Sequence, residues 1–127
     1  MAIPISEAES MVMDVLWQRS PLSAEEVVAA LAPHQDWQEA TIKTLLNRLL
    51  NKGAIEASKD GRRYLYSPVL RREAWVLDES ESLLSRLFDG RVAPLVAHFS
   101  QHRKLRADDI AELRRLLETL SDESRSE

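Results

Sequence analysis

The sequence predicts a mainly helical protein in two parts: three helices closed by a β-hairpin, then three further helices. Three observations lead there. Apolar residues recur at helical spacing in six separate stretches. The period changes to two only between Gly53 and Pro68. Boxes of the Ser/Asp-x-x-Glu type mark three helix starts before Ala40. A chain of 127 residues suffices for one compact domain and an appendage, not for two large cores.

The first helix opens at Ser6-Glu7-Ala8-Glu9 and carries Ala8, Met11, Val12, Val15 and Leu16 on one side. The second opens at Ser23-Ala24-Glu25-Glu26 and carries Ala24, Val27, Val28 and Leu31. The third follows Asp36-Trp37-Gln38-Glu39, runs from about Glu39 to Lys52, and stops at Gly53, a residue suited to the left-handed position after a helix. In each box the first side chain accepts a bond from an unpaired backbone N–H, and the acid three residues on reaches back.

After Gly53, the segments 55–59 and 62–67 flank Asp60-Gly61, a strong two-residue turn signal. A turn centred on that pair sets Lys59 opposite Arg62, Ala57 opposite Tyr64 and Ile55 opposite Tyr66. Ile55, Ala57, Tyr64 and Tyr66 then share a face that can lie on the helices. Lys59 beside Arg62 would be a repulsive pair, a tip that invites an anion.

From Leu70 onward the chain reads as three more helices. The first reaches about Phe88 and ends at Asp89-Gly90; the second covers about 91–99; the third covers about 107–120, with Asp108 and Asp109 at the positive end of its dipole. Alone they bury too little apolar surface to stand. Their apolar residues need a cover, and the simplest is the same segment of a second chain. Residues 121–127 are polar and are expected to form a disordered tail. The expected organisation is therefore 1–69, 70–120 and that tail.

The formal net charge is −4, yet between Lys43 and Arg63 the basic residues Lys43, Arg48, Lys52, Lys59, Arg62 and Arg63 face only Glu56 and Asp60. On a wheel of about 100° per residue, Ile42, Leu45, Leu46 and Leu49 fall on one side of the third helix. Ala40, Lys43, Thr44, Asn47, Arg48 and Asn51 fall on the other, without an acid among them. Cations, amides and threonine are the groups that bond phosphates and base edges. Three helices and a hairpin within about 65 residues make the winged helix-turn-helix plan, whose third helix enters the major groove of duplex DNA. The fold class is thus mainly α, a winged helix-turn-helix DNA-binding domain plus a C-terminal helical dimerisation domain. Thr41, Lys43, Thr44 and Asn47 are base-edge or groove-wall candidates; Arg48 and Lys52 are placed to hold phosphate; Lys59, Arg62 and Arg63 belong to the wing.

The segments Ser6-Glu7-Ala8-Glu9, Val15-Leu16-Trp17, Thr41-Ile42-Lys43-Thr44-Leu45-Leu46-Asn47-Arg48-Leu49, Lys52-Gly53 and Tyr64-Leu65-Tyr66-Ser67-Pro68 resemble the BlaI/MecI penicillinase-repressor family. The likeness runs from about Ser6 to Leu120. It implies a homodimeric repressor of β-lactamase or related promoters, with winged domains on the halves of a palindromic operator. It also implies an intertwined C-terminal dimer domain, here carried by Leu84, Leu87, Phe88, Leu95, Val96, Phe99, Ile110, Leu113, Leu117 and Leu120. In well-known members a membrane sensor protease relieves repression, with a cut at an Asn-Phe pair in the dimer domain. The matching place here is His98-Phe99. Copper-responsive relatives carry a C-terminal cysteine cluster, which this chain lacks.

Other chemistry finds little support. Without cysteine there are no disulfides or thiolate metal sites, and a cytoplasmic location is expected. No run of about 18 apolar residues suggests a membrane span, and no basic-then-apolar stretch suggests a signal peptide. His98 and His102, four apart, can share a helical face as metal ligands do; with no third ligand evident they read as surface or interface histidines. Trp17, Trp37 and Trp75 read as packing residues. No phosphate loop or nucleophile motif points to an enzyme, and no cofactor is expected. Two competing readings remain: a winged-helix regulator with a small-molecule effector, and a winged-helix module that binds proteins rather than DNA.

Overall fold

The computed structural model describes residues 3–126, with backbone alone for the last two of these. The elements follow in the order α1 (Glu7–Gln18), β1 (Leu22–Ser23), α2 (Ala24–Leu31), α3 (Glu39–Lys52), β2 (Ile55–Asp60), β3 (Arg63–Pro68), α4 (Arg72–Leu87), α5 (Val92–Gln101) and α6 (Ala107–Ser126). They divide into two compact units, one reaching Glu79 and one starting at Ser80. The first unit extends beyond residue 69 because the start of α4 is fastened to α1. The Trp17 indole N–H donates to the Leu70 carbonyl at 2.8 Å, and the Trp17 and Trp75 rings lie 5.5 Å apart.

Two of the three expected helix starts are built as the sequence proposes. Glu9 N–H donates to Ser6 Oγ at 3.1 Å while Ser6 N–H donates to Glu9 Oε1 at 2.9 Å. The Ser23 and Glu26 pair repeats this at 3.2 and 3.0 Å. The third does not form. The N-cap of α3 is Gln38, and no side chain caps it. Glu39, which a cap at Asp36 would use to reach back, is instead the first residue of α3 and pairs forward with Lys43 at 3.1 Å. At its other end α3 stops at Gly53, which takes φ 77°. An added Cβ there meets nothing within 4 Å, so the demand for glycine comes from the backbone angle and not from space.

The core of the first unit comprises Val12, Met13, Leu16, Leu22, Val27, Leu31, Ile42, Leu45, Leu46, Leu49, Ala54 and Ile55. These are the inner faces of α1, α2 and α3, closed by the base of the hairpin. On α1 the buried stripe includes Met13, which the sequence reading left out, while Ala8, Met11 and Val15 are only partly covered.

The sheet has three antiparallel strands in the order β1-β3-β2. β1 is two residues long, and its Ser23 also caps α2, so no alternating pattern announces it. The hairpin register departs from the one expected. Asp60 pairs with Arg63, Lys59 with Tyr64, Ala57 with Tyr66 and Ile55 with Pro68. The two turn residues are therefore Gly61 and Arg62, not Asp60 and Gly61. Gly61 has φ 65°, whereas Arg62 is not among the residues with positive φ. That combination places glycine first in the turn, as in the II′ type. Lys59 no longer opposes Arg62, and the expected repulsive tip disappears. Tyr64, expected against the helices, is 53% exposed; Ile55 and Tyr66 do reach the core.

The second unit holds the end of α4 with α5 and α6, and none of its described side chains is buried. Leu87, Val92, Phe99, Ile110, Leu116, Leu117 and Leu120 are all exposed. The segment expected as a tail from Ser121 instead continues α6 to Ser126; Glu127 lies outside the described residues.

Candidate nucleic-acid interface

Packing of Ile42, Leu45, Leu46 and Leu49 fixes the rotation of α3 about its axis. Thr41, Lys43, Thr44, Asn47 and Arg48 are consequently all on the solvent side. Thr44 Oγ1 donates to the Ala40 carbonyl at 3.0 Å, which leaves its lone pairs outward. The face is less purely cationic than the wheel suggests. Glu39 stands one turn before Lys43 and holds its ammonium at 3.1 Å, both side chains being more than half exposed. Such an exposed pair is weak and opens readily toward a phosphate.

Lys52 has other business. Its Nζ donates to Glu9 Oε1 at 2.6 Å and to the Pro4 carbonyl at 2.9 Å. The Glu9 side chain is only 2% exposed and that of Lys52 33%. Burial pushes the Glu9 carboxyl upward, but hydrogen bonds from Lys52 and Ser6 and the nearby ammonium charge outweigh it and hold the group below its ordinary value. The pair thus ties the end of α3 to the start of α1.

On the wing, Arg62 occupies the turn and Lys59 faces Tyr64 across the strands. Arg63 lies 3.4 Å from Asp60, an exposed contact. The structure also groups residues that the sequence kept apart. Lys43 from α3 and Arg63, Tyr64 and Tyr66 from β3 line a cleft of about 220 Å³ with Ser23, Ala24 and Glu25 from the start of α2. Ser23 and Tyr64 were not on the sequence-derived list. The capping box at Ser23 was a visible signal of a helix N-terminus, which favours anions. Tyr64 was expected against the helices, although its place near the hairpin tip, opposite Lys59, leaves it exposed. The Glu26 carboxyl beside this corner sits below its ordinary value. The backbone and hydroxyl of Ser23 contribute most, and Arg63 and Arg19 add positive charge.

Comparison with known proteins bears on this arrangement. Residues 5–119 match the penicillinase-repressor family. The chain is 35% identical over 114 residues to a penicillinase repressor of Bacillus licheniformis, covering 90% of this chain and 89% of that one. It is 31% identical over 113 residues to the methicillin resistance regulatory protein MecI of Staphylococcus aureus, covering 89% and 92%. Among solved structures it resembles Bacillus licheniformis BlaI in its monomeric form in complex with the blaP half-operator. The identity there is 40% and the TM-score 0.51, over 57% of this chain and 89% of that one. The chain belongs to the penicillinase-repressor family of winged-helix, DNA-binding transcriptional repressors.

Proposed function

We propose that this repressor binds a palindromic operator as a homodimer, with α3 in the major groove and the wing beside it. The observation that carries the reading is the rotation of α3. Its four leucine and isoleucine anchors are buried, and the polar groups on the opposite side face solvent, with Lys43 weakly held by Glu39 and the Thr44 hydroxyl donating to the Ala40 carbonyl. Thr41, Lys43, Thr44 and Asn47 read base edges or line the groove. Arg48, Lys59, Arg62 and Arg63 hold phosphate or enter the minor groove. Lys52 is left out of the contact set, because its ammonium is occupied by Glu9 and Pro4. BlaI, the relative solved with its half-operator, supports the choice of DNA as partner.

The second copy docks on the second unit. Leu84, Leu87, Leu95, Val96, Phe99, Ile110, Leu113, Leu117 and Leu120 lie on α4, α5 and α6, and Phe88 directly follows α4; none of the described side chains of these helices is buried, and an apolar groove between α5 and α6 is lined by Leu95, Val96, Phe99, Leu113 and Leu116. So much uncovered apolar surface calls for a partner. Among the described residues no helix is long and apolar enough to cross a membrane, in keeping with a cytoplasmic regulator. The targets are β-lactamase or related resistance genes, and a membrane sensor protease that cuts at His98-Phe99 is the release route the family suggests. His98 and Phe99 are exposed within α5, so that turn must unwind before a protease can take it in extended form.

The test separates reading from holding. With an operator selected from a genomic pool, Lys43→Ala is expected to weaken specific binding by about tenfold or more while random duplex loses much less, because one good base contact discriminates by roughly 1–3 kcal/mol. Arg62→Ala is expected to weaken both alike. Equal losses at Lys43 would reduce it to a phosphate contact.

A further inference from the structure

We propose that His98 and His102 form a two-imidazole site for a divalent transition-metal ion of the Cu²⁺, Ni²⁺ or Zn²⁺ class at the C-terminal end of α5. The two rings stand one helical turn apart with centroids separated by 4.7 Å. Two imidazole nitrogens bound to one ion at about 2.0–2.1 Å must lie within roughly 3–4 Å of each other. Rings at this separation reach that spacing by turning about their Cβ–Cγ bonds.

The backbone holds the pair in register. His102 is the cap of α5, and its N–H donates to the His98 carbonyl at 3.2 Å, so the helical spacing persists through the last residue. Beyond it the chain is locked. Arg103 takes φ 56°, its N–H donates to the Ser100 carbonyl at 3.1 Å, and the Lys104 N–H donates to the Phe99 carbonyl at 2.8 Å. This is the two-bond closure of a Schellman end. His98 is flanked by aromatic rings, Phe88 at 5.9 Å and Phe99 at 5.8 Å, which limit where its imidazole can go.

Both histidines are exposed, so water can fill the remaining coordination positions. No cluster of three or more possible ligands occurs among the described residues. The site is thus an open chelate of two nitrogens, and nitrogen ligation favours Cu²⁺ most strongly within this metal class. An ion bound across one turn also opposes unwinding of α5, because it binds the helical form and not the extended one. The bond between His98 and Phe99 lies within that clamped turn.

The experiment uses the untagged full-length chain. It is titrated with Ni²⁺ and with Cu²⁺ by calorimetry, and the Cu²⁺ complex is examined by electron paramagnetic resonance. The expected result is one ion per chain with two nitrogen ligands, and slower exchange of the His102 amide on binding. His98→Asn or His102→Asn should each weaken binding by about a hundredfold, the scale of loss when one arm of a bivalent contact is removed. His34→Asn, in the other unit, should leave it unchanged. Circular dichroism confirms that each variant retains its helices. Absence of binding by the native chain, or binding that survives replacement of both histidines, would overturn the proposal.

Discussion

Glu9 and Lys52 show how much one pair of side chains can decide. Glu9 serves the α1 capping box and receives the Lys52 ammonium, while its Oε2 is buried without a hydrogen-bond partner. Lys52→Ala would leave that carboxylate with no counter-charge. Breaking a buried pair costs several kcal/mol, and the partial exposure of Lys52 reduces this to about 2 kcal/mol. Chemical denaturation should show that loss. Glu9→Gln should cost less, since it removes the buried charge, keeps an oxygen that can accept from Ser6 N–H, and leaves behind a Lys52 ammonium that is partly exposed to water. Because the folded Glu9 carboxyl sits below its ordinary value, its contribution is present above that ordinary value and fades as pH falls toward the depressed one. Stability should therefore drop through this acid range more steeply in the native chain than in Glu9→Gln. A matching loss of salt-dependent DNA binding in Lys52→Ala, with stability unchanged, would return Lys52 to the phosphate contacts.

At the scale of elements, α3 was legible and the wing was only half so. Leucine spacing alone oriented α3, because a helix with one apolar side has one way to sit on a core. The wheel missed Glu39 because it began at Ala40, and the first turn of α3 belongs to the same outer face. Glu39→Gln is expected to raise affinity for duplex DNA several-fold at low salt, an advantage that shrinks as salt screens the lost repulsion. Anisotropy titrations at two salt concentrations would measure it. Unchanged affinity would mean that Lys43 does not approach the DNA. The hairpin was recognised but its register was not. Asp60-Gly61 fits one turn type with glycine second, and Gly61-Arg62 fits another with glycine first. A shift of the turn by one residue changes every cross-strand pair, which is why Lys59 was expected beside Arg62. Partners move by two positions, so Ile55, Ala57, Tyr64 and Tyr66 keep a common face, and Tyr64 is exposed because it lies near the tip, opposite Lys59. β1 left no signal, being two residues long and half occupied by a helix cap.

The whole molecule is two units of unlike character. The first encloses its own core, whereas the second has helices and, among its described residues, no buried side chain. A chain lacking residues 105–127 should keep the first unit folded, lose the dimer, and bind a palindrome poorly; light scattering reads the mass, and an unchanged dimer would refute the proposed interface. The extent of the first unit was not legible in composition, since Trp17 and Trp75 meet only in three dimensions. The proposed DNA contact is made by the outer face of α3 and the wing. It is tested most directly by titrating the full-length chain against duplex DNA across a series of salt concentrations. The affinity should fall along a straight line in log–log form, by roughly 0.9 units for each phosphate contacted. Four cations, Arg48, Lys59, Arg62 and Arg63, are proposed for phosphate on each chain, so the slope should be steep, and Arg62→Ala should make it shallower. Absence of binding at low salt, or an affinity indifferent to salt, would contradict the account.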